Sequence, residues 1–411
     1  MKRVVVTGCG VVSSVGIGKE SFWRSLIRGT SGIDKITHFD PQNFDSQIAG
    51  EVKNFPPPDF ISSKDLKRLP RFVQFALKAT QEALEESGLV LEKEDIYQMG
   101  VIVGSGIGSL ETVEKEHKVL LEKGPRRISP FLIPMLITNE AAGNIAIYFH
   151  LKGINFCTVT ACASGAHAIG EAYRAILQGK ADIMICGGTE ACITPLGVGG
   201  FCALKALSKR NNEPQRASRP FDKERDGFVI AEGAGIVILE ELEHAKKRDA
   251  PIYAEVCGYG ATCDAYHITA PDLSGESAAK AMEFALKEAG VSLEEKIYIN
   301  AHGTSTQLND KMETEAIKKV FGGYAKNVFI SSTKSMTGHT LGAAGAVEFI
   351  ICCLTIRHKI IPPTINYEYP DPECDLNYTP NQSQELDVTV ALSNSLGFGG
   401  HNATLLLKKF K

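Results

Sequence analysis

The chain has 411 residues, 44% of them hydrophobic and 22% charged, which excludes the disordered and fibrous classes. A formal net charge of −4 excludes a chain-wide basic field for nucleic acid, though not a local basic patch. At roughly 100–200 residues per domain, the length predicts two or three domains or one fused unit.

The N-terminus has two basic residues and then an apolar run, the outline of a secretory leader. Its β-branched residues, interleaved with Gly and Ser, read better as a first strand. Strand-like runs follow in two series, at 4–6, 100–103, 156–160, 182–186 and 235–239, then at 252–256, 297–300, 328–331, 388–392 and 403–407. Helical patterns lie between several of them; one carries a stripe from Phe72 through Ala83 and stops at Gly88, as a helix does before a left-handed glycine. The alternation predicts an α/β protein with largely parallel sheets covered on both faces.

The two series repeat one order, with a small-residue helix late in each. It opens at Cys162-Ala-Ser-Gly165 in the first and near Leu341-Gly-Ala-Ala-Gly345 in the second. An internal duplication is expected, with an N-terminal half over 1–250, a C-terminal half over 251–411 and the divide at Arg248-Asp-Ala-Pro251. No apolar run reaches the ~18 residues of a membrane span; the best, 347–356, carries Glu348, so membrane insertion is not expected. Eleven cysteines show no metal-ligand spacing, which favours free thiols in a reducing, cytoplasmic compartment. Gly8-Cys-Gly10 and Gly104-Ser-Gly106-Ile-Gly108 each accompany a strand, but neither completes a dinucleotide fingerprint. Both read as tight turns packed near something buried.

One cysteine stands apart. In Asn155-Phe-Cys-Thr-Val-Thr-Ala-Cys162-Ala-Ser-Gly165, a β-branched run ends at Cys162 and a small-residue helix begins. A thiol there sits at the positive end of a helix dipole, beside backbone N–H groups able to bind an oxyanion; both effects favour thiolate and make it a candidate nucleophile near neutral pH, while a buried structural cysteine is the alternative on this segment alone. Two histidines follow later strands: Asn300-Ala-His302-Gly-Thr-Ser-Thr306 and Ser331-Ser-Thr-Lys334-Ser-Met-Thr-Gly-His339. Ligands in open α/β sheets bind at such carboxyl ends. Zinc is an alternative for Cys/His/His, but a metal-held thiolate would not serve carrier-thioester chemistry.

These motifs, with Ala343-Ala-Gly-Ala-Val-Glu348 and Asn394-Ser-Leu-Gly-Phe-Gly-Gly400, resemble in order the β-ketoacyl-[acyl-carrier-protein] synthases of the thiolase-like superfamily. The resemblance spans nearly the whole chain. Thr194-Pro-Leu-Gly-Val-Gly-Gly-Phe201, Ser218-Arg-Pro-Phe-Asp222 and Asp264-Ala-Tyr-His267 resemble the type II, dissociated fatty acid branch. The resemblance implies a thiolase-like fold of two duplicated βαβαβαββ halves in an α-β-α-β-α core, and decarboxylative condensation of acyl-carrier with malonyl-carrier. It implies Cys162 as acylated nucleophile, His302 and His339 as the decarboxylating pair, Lys334 and Glu348 as an orienting pair, and Phe398 as gate and oxyanion N–H. Ile107, Phe131 and Phe201 are expected to line the acyl pocket. No cofactor and no metal are expected, since the substrates ride on carrier phosphopantetheine. The expected partners are acyl carrier protein and a second copy of the chain.

Gln307 stands where the family often has Pro, and His401 where it often has Thr or Ser. The cysteine argues against a catalytically silent chain-length subunit; without a second motif-matched cysteine a thiolase is disfavoured. Lys64, Lys67 and Arg68 continue at helical spacing to Arg71, and Arg126, Arg127 and Lys205 add further positive charge. These are the expected docking residues for an acidic carrier.

Overall fold

A computed structural model describes residues 2–411. Ten strands form the main path of one sheet: β1 Val4–Ser13, β2 Met99–Gly104, β3 Asn155–Phe156, β4 Ile183–Glu190, β5 Gly233–Glu241, β6 Ala254–Cys263, β7 Ile297–Asn300, β8 Phe329–Ser331, β9 Val390–Gly397 and β10 His401–Lys408. Across the sheet they run β8-β7-β9-β10-β6-β1-β5-β4-β2-β3. Counted within its own set of five, each set follows the order third, second, fourth, fifth, first from its outer edge inward. The sets meet where β1 pairs with β6, Val4 opposite Val256 and Val6 opposite Ala254.

The expected largely parallel sheet is corrected to a mixed one. Parallel pairing is confined to β2 with β3 and β4, and to β7 with β8 and β9. The fifth strand of each set returns antiparallel to the fourth, β5 on β4 and β10 on β9. In the second set a tight hairpin makes that return, through Gly399 and Gly400 at φ 85° and 76°. The strand expected over 156–160 is also shorter. Only Asn155 and Phe156 pair, with Val101 and Ile102. Beyond them Thr158 Oγ1 donates to the Ser164 carbonyl and the Thr160 N–H to Ser164 Oγ, which bends the chain into the turn at Cys162.

Six helices build the layers: α1 Arg71–Ser87, α2 Glu140–Phe149, α3 Ser164–Leu177, α4 Glu276–Ala289, α5 Gln307–Phe321 and α6 Ala344–His358. α1 covers β1, β4 and β5 from outside, and α4 covers β6 and β10. α3 and α6 pack on each other and touch strands of both sets, so they form the central layer. This placement explains why α6 is apolar on nearly every side. With its preceding turn it has the length and mean hydropathy (1.4) of a membrane span, yet it is a buried core helix. α1 ends at Gly88 in the left-handed conformation, φ 65°.

Glycines set the closest layer contacts. Gly8 and Gly10 lie within β1 rather than at a turn; a Cβ there would fall 2.1 and 1.9 Å from the carbonyl oxygens of Ala83 and Ala79 on α1. Gly258 and Gly260 in β6 do the same toward Ala285 and Ala281 of α4, at 2.2 and 1.8 Å. Strand and helix approach this closely only where side chains are missing.

Candidate active site

A three-residue turn, Ala161–Ala163, carries Cys162 to the start of α3. Ala161 is held at φ 49°, strained for a residue with a side chain, and the Ser164 hydroxyl donates to its carbonyl. Across the central layer the turn Leu341–Ala343 leads into α6 in the same way, with Leu341 at φ 48°.

His302 follows β7, where its backbone N–H and that of Gly303 donate to the two oxygens of buried Glu313, each at 2.8 Å. His339 follows β8 and the short helix Lys334–Thr337. Its Nε2 lies 3.1 Å from Cys162 Sγ, and its ring is 5.3 Å from that of His302 at 84°. The tautomers follow from the hydrogen bonds. The Leu341 N–H points at His339 Nδ1 (3.3 Å), and the Lys334 ammonium at His302 Nδ1 (3.4 Å). Each Nδ1 therefore accepts, and each Nε2 carries the proton.

Lys334 also donates to Glu348, which explains the glutamate in an otherwise apolar helix. Burial pushes the Glu348 carboxyl up to about 7, with Lys334 pulling the other way. Burial, with the Lys334 charge adding to it, holds both histidines well below the usual imidazole range, so they stay neutral donors. Burial pushes the Cys162 thiol up to about 12 against the pull of Lys334 and of the Phe398 N–H. Burial thus works against the thiolate that the helix start favours.

A cavity of about 500 Å³ opens onto Cys162, His302 and His339. Ile107, Phe201, Phe398 and Lys205 also line it. Phe131 is not among the lining residues of this single chain; it is 37% exposed, and its ring lies under the Arg68 guanidinium at 4.4 Å. Lys64, Lys67 and Arg68 are exposed on and just after the short helix Ser63–Leu66, and Arg126 and Arg127 are exposed on a separate turn. Arg71 turns inward instead, forked onto Glu232. Gln307 ties its helix start to the neighbouring loop by donating to the Arg225 carbonyl.

Sequence reading missed two carboxylates, Glu190 and Glu313, both fully buried. Glu190 accepts N–H bonds from Gly106, Ile107 and Gly342. The signal was available: a glutamate ending the otherwise uncharged strand β4 requires buried donors. Cys162, His302 and His339 hold ligand atoms within 4.8 Å of one another, a spacing compatible with a metal. The donor set fits poorly, because a metal-binding nitrogen must be unprotonated and both free Nε2 atoms carry protons.

Residues 1–245 match the family profile for the beta-ketoacyl synthase N-terminal domain, and residues 253–368 that for the C-terminal domain. The chain belongs to the β-ketoacyl synthase family. This synthase is 53% identical over 410 residues to a 3-oxoacyl-[acyl-carrier-protein] synthase 2 of Synechocystis sp., covering 100% of this chain and 99% of that one. It is 51% identical over 408 residues to the protein of that name from Coxiella burnetii, covering 99% of each. Among solved structures it superposes on the ishigamide ketosynthase/chain length factor with a TM-score of 0.94 and 38% identity, all of both chains covered. A type II polyketide acyl-carrier protein in complex with its ketosynthase aligns at a TM-score of 0.91 and 39% identity, again over both full chains. Its fold is the thiolase-like one of these ketosynthases.

Proposed function

We propose that the chain elongates fatty acyl groups by condensing an acyl-carrier with a malonyl-carrier, giving 3-oxoacyl-carrier, CO₂ and free carrier. The observation that carries this reading is one cavity holding a cysteine sulfur beside two neutral histidines, with His339 Nε2 3.1 Å from that sulfur and each Nδ1 already accepting a hydrogen bond. In the first step Cys162 Sγ attacks the acyl thioester carbonyl. The N–H groups of Cys162 and Phe398 hold the tetrahedral oxyanion, and the thiol proton ends on the departing carrier sulfur. In the second step malonyl-carrier loses CO₂, and the enolate oxygen accepts from His302 and His339. The enolate carbon then attacks the Cys162 thioester and expels the sulfur as thiolate, which takes up a proton from water to restore the thiol. Lys334, paired with Glu348, fixes His302 through Nδ1 and keeps its Nε2–H aimed outward.

The substrates ride on acyl carrier protein, which the exposed cations Lys64, Lys67, Arg68, Arg126, Arg127 and Lys205 suit by charge. No resident cofactor is needed, because the histidines supply the stabilisation of the enolate. Strand β3 is a sheet edge, with Phe156 40% and Val159 53% exposed nearby. An exposed apolar edge suits a second copy, so a homodimer is the assembly we infer. Eleven free cysteines and a buried apolar α6 suit a cytoplasmic protein without membrane insertion. The duplicated strand orders support two halves, 1–250 and 251–411.

Mass spectrometry tests the activity. Incubation with acyl-carrier should leave an acyl adduct on Cys162, and added malonyl-carrier should discharge it as 3-oxoacyl-carrier. An adduct elsewhere, or one that malonyl-carrier leaves in place, would refute the reading.

A further inference from the structure

We propose that Glu232 and Arg71 are positioning residues for His339, acting through a backbone clamp beneath the site. The inference rests on the condensing reading, in which His339 must present Nε2–H at a fixed place. The His339 N–H donates to the Val229 carbonyl at 2.8 Å, and the Ala231 N–H donates to the His339 carbonyl at 2.9 Å. The segment 229–231 therefore grips the histidine on both sides of its α-carbon.

That segment is held from its far side as well. The Gly50 N–H donates to the Ile230 carbonyl at 2.9 Å, and the Glu232 N–H to the Gly50 carbonyl at 3.2 Å. A Cβ on Gly50 would lie 2.6 Å from the Thr337 carbonyl oxygen and 2.8 Å from Ala231 Cβ, so only glycine lets the three backbones meet. Glu232 locks the stack. Its buried carboxylate accepts Arg71 Nε at 2.8 Å, Arg71 Nη2 at 2.7 Å and the Val52 N–H at 2.9 Å. The same guanidinium nitrogen donates to the Val52 carbonyl at 2.9 Å, and the guanidinium carbon lies over the Phe75 ring at 4.6 Å. A planar fork with this many fixed partners holds position, where a lysine would supply only charge. Neither residue touches the cavity; they act through the backbone of 229–232.

The test compares Glu232→Gln, Arg71→Met, the double variant and the milder Arg71→Lys with the parent enzyme. Loosening His339 by a fraction of an ångström should lower kcat for malonyl-carrier decarboxylation about tenfold. KM should stay unchanged, as should acylation of Cys162 by acyl-carrier. Amide hydrogen exchange should quicken in 229–232 and 337–339 while α1 and the sheet stay protected. The double variant should be no worse than the poorer single one, since both remove one device. Arg71→Lys should keep part of the rate. Equal losses in acylation and decarboxylation, or unchanged decarboxylation with protected amides, would overturn the clamp. If the parent enzyme releases no CO₂ from malonyl-carrier the condensing reading fails, while the exchange pattern still decides the clamp.

Discussion

The two sets of five strands share a scaffold and, on the condensing reading proposed above, divide the chemistry. Gly8 and Gly10 meet Ala83 and Ala79 of α1 as Gly258 and Gly260 meet Ala285 and Ala281 of α4. The loops after β2 and β7 each give two successive N–H groups to one buried carboxylate, Glu190 in one half and Glu313 in the other. The turns at Ala161 and Leu341 share a left-handed residue and open into the paired central helices. What differs is what stands on each frame. The first half places a cysteine after its strained residue; the second places Gly342 there, with its N–H on Glu190. The loop after β2 carries Ile107 into the cavity, whereas the loop after β7 carries His302. On that reading the repeated backbone presents the nucleophile from one set and the hydrogen-bond donors from the other, meeting where α3 packs on α6.

The largest effect expected from breaking this division is on the donors. His302→Ala or His339→Ala should cut malonyl-carrier decarboxylation by about 10²–10³ while Cys162 is still acylated. Stopped assays of CO₂ release and adduct mass, run side by side, check it. Next is the silent turn. Gly342→Cys copies the first half's residue, but its Cβ would lie 2.5 Å from the Gly106 nitrogen and 2.6 Å from Glu190 Oε2. The variant should lose about 3 kcal/mol of stability by thermal unfolding and gain no second acylation site.

A smaller effect separates the outer helices. Glu82 precedes Ala83 on α1, and Phe284 holds the matching place before Ala285 on α4. Burial raises the Glu82 carboxyl from 4.5 to about 7. A raised folded-state pKa means that its contribution to stability is full below about pH 4.5 and is lost as pH rises through about 7. Glu82→Gln, which does not titrate, should therefore gain on the parent protein across that window, by roughly 2 kcal/mol at its upper end. Denaturant melts at both ends of the window check the sign. The smallest effect is at the surface. Reversing the charge of Lys64, Lys67 and Arg68 should raise KM for carrier-bound substrates several-fold and flatten its salt dependence. Pantetheine thioesters should react as before.

Much of the scaffold was legible because its signals are local. All ten strand positions showed in the sequence as apolar runs, and Gly88 marked the end of α1. Strand directions were not: the return of β5 onto β4 depends on pairing across some forty residues, and sequence reading missed the local hairpin signal at Gly399-Gly400. The cavity residues Cys162, His302 and His339 lie together, with Lys334 and Glu348 buried behind His302, yet their electrostatics did not follow from position. Helix-start logic favours a thiolate at Cys162, and only the fold shows the burial that opposes it. Arg71 reads as one more surface cation in sequence, because its partner Glu232 lies 161 residues away.

The division of labour between halves is tested most directly by Cys162→Ala, with elongation and decarboxylation measured on the same preparation. The account predicts no 3-oxoacyl product and continued CO₂ release from malonyl-carrier, because both histidines and Lys334 remain in place. Continued elongation by that variant, or loss of CO₂ release in a folded protein, would contradict it.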